Sequence, residues 1–310
     1  MLMVAGEALV DQMARPDGSI AETLGGSPCN LALALGRLGR SVAYCSPLSS
    51  DRHGRQFASL LSEAGVKLGG GWSELPTSRA RVSIDAEGQA SYIFERDGVA
   101  DRSLAPLSLL ENWPGEARFF HVGSLALIPP DGQAWCELLH ALPERGVSTS
   151  VDLNMRPMAA PDGPAYIQAA RAAAARAQWL KVSDDDLRAI GLDAAPLQAA
   201  CQLLGEQTRV VLLTLGARGA YALTHNEALF QPAPSVEVVD TVGAGDCFYA
   251  GFLAALDESG ALQRQPTVAE LQQALSRGSA AAAFSLRRAG CQAPWRGDLS
   301  DSDGVNASST

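Results

Sequence analysis

The chain has 310 residues, of which 47% are hydrophobic and 19% charged, so it can bury the core of one large α/β domain. Its formal net charge is −10 with no Lys/Arg cluster to offset it, which argues against nucleic acid or an anionic membrane surface as partner. No apolar run approaches the ~20 residues of a membrane span. Six scattered cysteines without CxxC spacing, and no signal-peptide pattern at the start, predict reduced thiols in a cytoplasmic protein.

Read in chain order, short apolar runs alternate with helical patterns, the mark of a parallel sheet with covering helices. Leu2–Gly6 opens as a buried strand, and Val10–Met13 with Ile20–Thr23 reads as extended. A helix follows over Pro28–Leu38, with Ser27 as its N-cap and the proline in its first turn. Strand Ser41–Ser46 and helix Gly54–Ala64 come next. Arg79–Ile84 and Ser91–Glu95 then break the rhythm, alternating apolar and polar residues around the turn Ala86–Gln89, as a hairpin solvated on one face does. Together with the 10–24 segment it predicts a small sheet, drawn from about 10–24 and 69–101, that acts as a lid or a dimer surface. The βα pattern resumes with strands Arg118–Gly123, Val147–Leu153, Gln178–Ser183 and Val210–Leu215, separated by helices Gly132–Leu142, Pro164–Arg176 and Pro196–Leu204. A hairpin, Ala220–Thr224 and Ala228–Gln231, precedes two long helices around Ala244–Leu256 and Val268–Phe284. The polar, aperiodic stretch Asp298–Thr310 predicts a frayed tail, so residues 1–296 form the domain and 297–310 lie outside it.

The chemistry concentrates at Asp240–Asp246, DTVGAGD, immediately before an apolar helix. Small residues at Gly243, Ala244 and Gly245 let backbone N–H groups approach an anion, and the helix directs its positive end the same way. A carboxylate at Asp246 would then stand beside the anion, placed to take a proton from an attacking hydroxyl. The plain alternative is a glycine-rich turn whose aspartate complements the helix dipole. No Lys–Ser/Thr pair follows the glycines, so this is not a Walker A loop, and no GxGxxG follows the first strand, which disfavours a Rossmann dehydrogenase.

DTVGAGD resembles the D-T-x-G-A-G-D motif of the ribokinase-like (PfkB) sugar kinases. Gly25–Asn30, GGSPCN, is similar to that family's double glycine and asparagine at the start of its first helix, and the likeness runs from Gly6–Asp11 to about Pro294. The resemblance implies a ribokinase-like three-layer sandwich, with a mostly parallel central sheet and a small β-sheet lid. It also implies Asp246 as general base and an anion hole from Gly243, Ala244 and Gly245. Asp11, Gly25, Gly26 and Asn30 fall where the family holds sugar hydroxyls; carboxylate and amide suit a polyol, and glycines let backbone and sugar come close. Lys181, Ser183, Thr214, Gly216 and Gly219 fall along its ATP site. Asp186 falls near the metal-bound phosphates, reached through water, but here Ser183-x-x-Asp186 replaces the family's N-x-x-E and reads equally as a helix capping box. Ala280–Phe284 and Gly290 would border the adenine. The implied cofactors are ATP and Mg²⁺, with K⁺ allowed at the loops near Asp240 and Gly290. Ser49 replaces a glycine common in the family.

Within the family, GGSPCN and Phe94–Asp101 are most similar to fructokinases, which make fructose 6-phosphate. A 2-keto-3-deoxygluconate kinase is the sister reading, because Arg156 in DLNMR, joined by Arg96 on the lid, would suit an acid substrate. Arg96 reads otherwise as a surface partner of Glu95 or Asp97. A non-catalytic sugar-binding regulator is the alternative from another class. The expected partners are a sugar and ATP, with a homodimer formed through the lid.

Overall fold

A computed structural model describes residues 1–15, 18–84 and 90–300. Its first part contains β1 (Leu2–Val4), β2 (Leu9–Ala14), β3 (Ile20–Gly25), α1 (Ser27–Arg37), β4 (Val42–Tyr44), β5 (Leu48–Ser49), α2 (Arg52–Glu63), β6 (Lys67–Leu68), β7 (Trp72–Ser73), β8 (Ser78–Ile84) and β9 (Ala90–Glu95). The second part contains β10 (Phe119–Gly123), α3 (Asp131–Ala141), β11 (Ser148–Asp152), α4 (Gly163–Ala174), β12 (Trp179–Ser183), α5 (Asp184–Ala189), α6 (Pro196–Cys201), β13 (Val210–Thr214), β14 (Ala220–Leu223), β15 (Ala228–Gln231), α7 (Ala244–Glu258), α8 (Val268–Leu286) and α9 (Arg296–Ser300).

Nine strands form the central sheet in the order β15-β14-β13-β12-β11-β10-β1-β4-β6. Pairing is parallel from β13 to β6 and antiparallel at β13–β14 and β14–β15. The inner strands are covered on both faces, which leaves β1 and β4 apolar or nearly so and buries even the polar side chains of β11, Ser148, Thr149, Ser150 and Asp152. In β13, Val210 and Leu212 join the core shared with α1, α2, α7 and α8, while Val211 and Leu213 join the core shared with α3 to α6. That is the three-layer sandwich expected. Each predicted strand and helix lies within a few residues of an observed one.

The predicted lid is a separate four-stranded sheet, β3-β2-β8-β9, antiparallel except at β2–β8. Residues 67–73 do not belong to it: β6 borders the central sheet and β7 pairs with β5. The predicted turn at Ala86–Gln89 and the tail beyond 300 fall outside the described residues, but α9 extends order past the predicted domain end at 296. Leu299 is buried against the core, which explains why.

Ser27 does not cap α1. Gly26 is the N-cap, no side chain bonds an amide of that first turn, and Ser27 is the first helical residue.

Candidate active site

A cavity of about 880 Å³ opens at the carboxyl ends of the parallel strands, the usual place for a ligand in an open α/β sheet. The lid sheet forms one wall. Strand alternation turns Asp11 and Met13 of β2, and Ala21, Thr23 and Gly25 of β3, toward the cavity. The start of α7 supplies the opposite wall with Gly243, Gly245 and Asp246.

Gly243 stands as N-cap of α7 with φ of 73°, and a Cβ there would lie 2.2 Å from Cys291 Sγ, so the position requires glycine. The first-turn amides that follow lack intrahelical acceptors. The Ala244 N–H instead meets the Thr241 carbonyl at 3.3 Å, and Ala244 does not line the cavity. Of the three residues of the predicted anion hole, Gly243 and Gly245 line the cavity.

Asp246 is buried in the first turn of α7. Ser27 Oγ donates to its Oδ1 at 2.6 Å and Asn30 Nδ2 to its Oδ2 at 2.9 Å. Burial pushes its carboxyl above the ordinary carboxylate range, against these two bonds and the positive charges of Lys181 and Arg156. A buried carboxylate of raised basicity, facing a cavity beside a helix N-terminus, can accept a proton from a bound hydroxyl.

Asp11 stands across the cavity, its carboxyl also raised by burial, with Arg156 as the opposing charge. Gly25 leaves room for it: a Cβ there would lie 2.9 Å from Asp11 Oδ2. A Cβ at Gly26 would meet the Glu7 carbonyl oxygen at 2.4 Å. Asp11, Gly25, Gly26, Asn30 and Arg156 thus share one cavity with Asp246.

Lys181 lies on β12 in the same cavity, buried rather than solvated, and its Nζ donates to Asp152 Oδ2 at 2.7 Å. Burial pushes Asp152 up to about 6, and the pairing keeps Lys181 charged. Lys181 Nζ would lie 3.6 Å from a Cβ at Gly245, so its charge sits against the anion-binding turn.

Ser183 and Asp186 bond to each other. Asp186 Oδ2 accepts from the Ser183 backbone at 2.8 Å and from its hydroxyl at 2.7 Å, and Ser183 Oγ accepts from the Asp186 amide. This is the complete capping box of α5. Asp186 Oδ1 accepts from the Met155 amide at 2.6 Å, which pins the loop carrying Arg156. Neither residue lines the cavity, and neither do Thr214, Gly216 and Gly219. Gly219 needs to be glycine for the hairpin, since a Cβ would lie 2.2 Å from the Gln231 carbonyl oxygen. Among the described residues no group of three or more His, Cys, Asp or Glu could hold a metal. Asp240 joins the two loops of the predicted cation region, accepting from the Gly290 amide at 2.8 Å and the Val242 amide at 3.0 Å.

Arg96 does not line this cavity. It lines a separate cavity of about 240 Å³ with Glu7, Asp101, Arg102, Asp131 and Trp135. Its guanidinium donates to the Leu125 carbonyl at 2.7 Å and lies 3.8 Å from Asp131; its expected surface partners go to Arg81 (Glu95) and Arg102 (Asp97). The chain ends β9 at Glu95, so strand alternation no longer governs the next side chain.

Ser27 and Glu7 also line the cavity, and Asp152 pairs with Lys181. Glu7 and Asp152 both stand at the carboxyl ends of parallel strands, the signal that would have found them. Ser27 was legible only as a capping residue.

Comparison with known proteins accords with this arrangement. The pfkB family carbohydrate kinase signature covers residues 1–297. A fructokinase of Rhizobium leguminosarum bv. trifolii is 32% identical over 294 residues, spanning 93% of this chain and 89% of its own. Among solved structures, Xylella fastidiosa fructokinase with bound ATP superposes with a TM-score of 0.83 at 26% identity, over 97% of each chain. Aminoimidazole riboside kinase from Salmonella enterica, complexed with aminoimidazole riboside and an ATP analogue, gives a TM-score of 0.82 at 25% identity, over 97% of this chain and 98% of that one.

Proposed function

The chain belongs to the pfkB family of carbohydrate kinases, phosphotransferases acting on a sugar hydroxyl, and from that premise we propose that it is an ATP-dependent fructokinase producing fructose 6-phosphate and ADP. The observation that carries this reading is the buried Asp246 at the start of α7, facing Asp11 and Arg156 across one cavity. Asp11 and Arg156 bind and orient the sugar. Asp246 takes the proton of the primary 6-hydroxyl as its oxygen bonds to the γ-phosphorus, and the bond to the ADP oxygen breaks. The amides at Gly243 and Gly245, with Lys181 beside them, stabilise the charge on the transferred group.

Magnesium suits this site as an ion carried by the nucleotide, because Asp186 is committed to its cap. Bound with ATP it would neutralise phosphate charge. Activity should vanish in excess chelator and return with Mg²⁺. A K⁺ ion would sit among the carbonyls of the loops that Asp240 draws together, and rates in K⁺ against Na⁺ test that. The outer face of the lid sheet turns Ile20 and Ile93 to solvent, which supports pairing with a second copy, decided by light scattering. Six free thiols fit the cytoplasm.

The acid-sugar reading keeps one argument, Arg156, and that charge already faces Asp11 and Asp246. Comparing kcat/KM for fructose, 2-keto-3-deoxygluconate and a nucleoside in a coupled ADP assay tests the assignment. A tenfold preference for the acid overturns fructose, and no ADP release with any sugar would favour a binding protein.

A further inference from the structure

Asp246 is gripped from outside its own helix. Two side chains of α1, more than 200 residues earlier in the chain, reach across to opposite oxygens of its carboxylate, and the Ser27 bond is the shorter. A serine at the mouth of a helix ordinarily spends its hydroxyl on a free amide of the first turn. Here it does not. Gly26 takes the N-cap position with φ of 105°, no side chain caps α1, and the Ser27 hydroxyl goes to Asp246 instead. The helix forgoes a stabilising bond, and a donor is left on the one carboxylate at the start of α7.

We infer that Ser27 is a positioning residue that holds the Asp246 carboxylate in its proton-accepting form and orientation. The inference rests on Asp246 being the base. Burial favours the neutral acid at this site, and the Ser27 bond is the foremost influence opposing it, ahead of Asn30, Lys181 and Arg156. The other groups that feel Asp246 from the elements around it are Asp152 on β11, Cys29 on α1 and Cys291 after α8. Lys181 is shared with Asp152 and Arg156 with Asp11, so neither cation serves Asp246 alone. Ser27 adds a donor without adding charge to a pocket that must also admit phosphate. Being on α1, it also fixes the carboxylate plane relative to Asn30 and the double glycine, where the sugar binds.

The test is the pH profile of kcat/KM for the full-length protein with MgATP and its best sugar, run on wild type, Ser27→Ala and Ser27→Thr, with Asp246→Asn as reference. Removing a donor to the charged form raises the carboxyl pKa, so Ser27→Ala should move the acidic limb upward by about one pH unit. Activity should fall about tenfold below the limb and recover toward wild type above it, while Ser27→Thr keeps the wild-type limb. A direct readout is the carbon-13 titration of the Asp246 carboxyl, whose midpoint should be higher in Ser27→Ala. An unmoved limb and midpoint, or a loss equal at every pH, overturns the inference if Asp246→Asn is inactive. If Asp246→Asn keeps its turnover, the base assignment falls and the inference with it.

Discussion

Replacing Glu7 by glutamine should stabilise the protein more at alkaline than at acid pH. Glu7 follows β1 and is 3% exposed, and its Oε2 has no hydrogen-bond partner among the described residues. Burial outweighs its backbone bond, Ser124 and the attraction of Arg96, and pushes the carboxyl from 4.5 up to about 7. The folded state therefore holds this proton more tightly than the unfolded chain does. The stability linked to it is fully present below 4.5 and is lost as pH rises through about 7. At about 1.4 kcal/mol per pH unit, the whole loss is about 3 kcal/mol, most of it falling between about pH 5 and about pH 8. Glutamine copies the protonated shape and has no proton to lose. The variant should thus gain about 2–3 kcal/mol relative to wild type on going from the lower to the higher pH. Whatever the amide costs in packing is common to both conditions and cancels in the comparison. Urea unfolding of both proteins at the two pH values measures it. Equal differences at both would show that Glu7 does not hold a proton in the fold.

Asp246→Asn should lower turnover by a factor on the order of 10² or more with ATP binding and melting temperature retained, since the amide can still bond Ser27 and Asn30; near wild-type turnover sinks the base assignment. Gly243→Ala should lose about 1–3 kcal/mol of stability together with activity, because the position has φ of 73° and the added Cβ would lie 2.2 Å from Cys291 Sγ; a stable, active variant contradicts the turn geometry. Asp186→Ala should cost about 2–4 kcal/mol, by removing a capping box and leaving the Met155 amide unpaired, with no change in Mg²⁺ dependence. A raised Mg²⁺ requirement at unchanged stability would restore Asp186 to the metal.

The layered architecture was legible because burial on both faces leaves a simple trace. The consecutive apolar residues Val210, Val211, Leu212 and Leu213 fit a strand with helices on both sides, and the alternation in Arg79–Ile84 fits one with a wet face. Asp246 and Gly243 were legible because helix-start chemistry is local: a left-handed turn, free amides and a carboxylate lie within four residues. What failed to show depended on side chains meeting across the chain. The hydroxyl of Ser27 has a local partner in sequence and a remote one in space, and no pattern within GGSPCN distinguishes them. Asp186 posed the same choice, and there the local partner won, because the capping box satisfies Oδ2 and the Met155 amide completes Oδ1.

Arg96 carries the largest consequence for substrate choice. Sequence places it beside Phe94, which does line the sugar cavity, and so suggests a second cation for an acid sugar. The structure commits it elsewhere: the Leu125 carbonyl, Asp131, Glu7 and Asp101 surround it at 8% exposure. Drawing it into the sugar cavity would break the Leu125 bond and leave Glu7 and Asp101 as buried carboxyls without their counter-charge, which is strongly unfavourable. An acid substrate would then find Arg156, already balanced by Asp11, and Lys181, already paired with Asp152, with Asp246 close by. A carboxylate there meets Asp11 and Asp246 with both cations already engaged. A neutral polyol meets donors and acceptors of both kinds and displaces no charge, so the same groups that repel the acid can bind the sugar's hydroxyls.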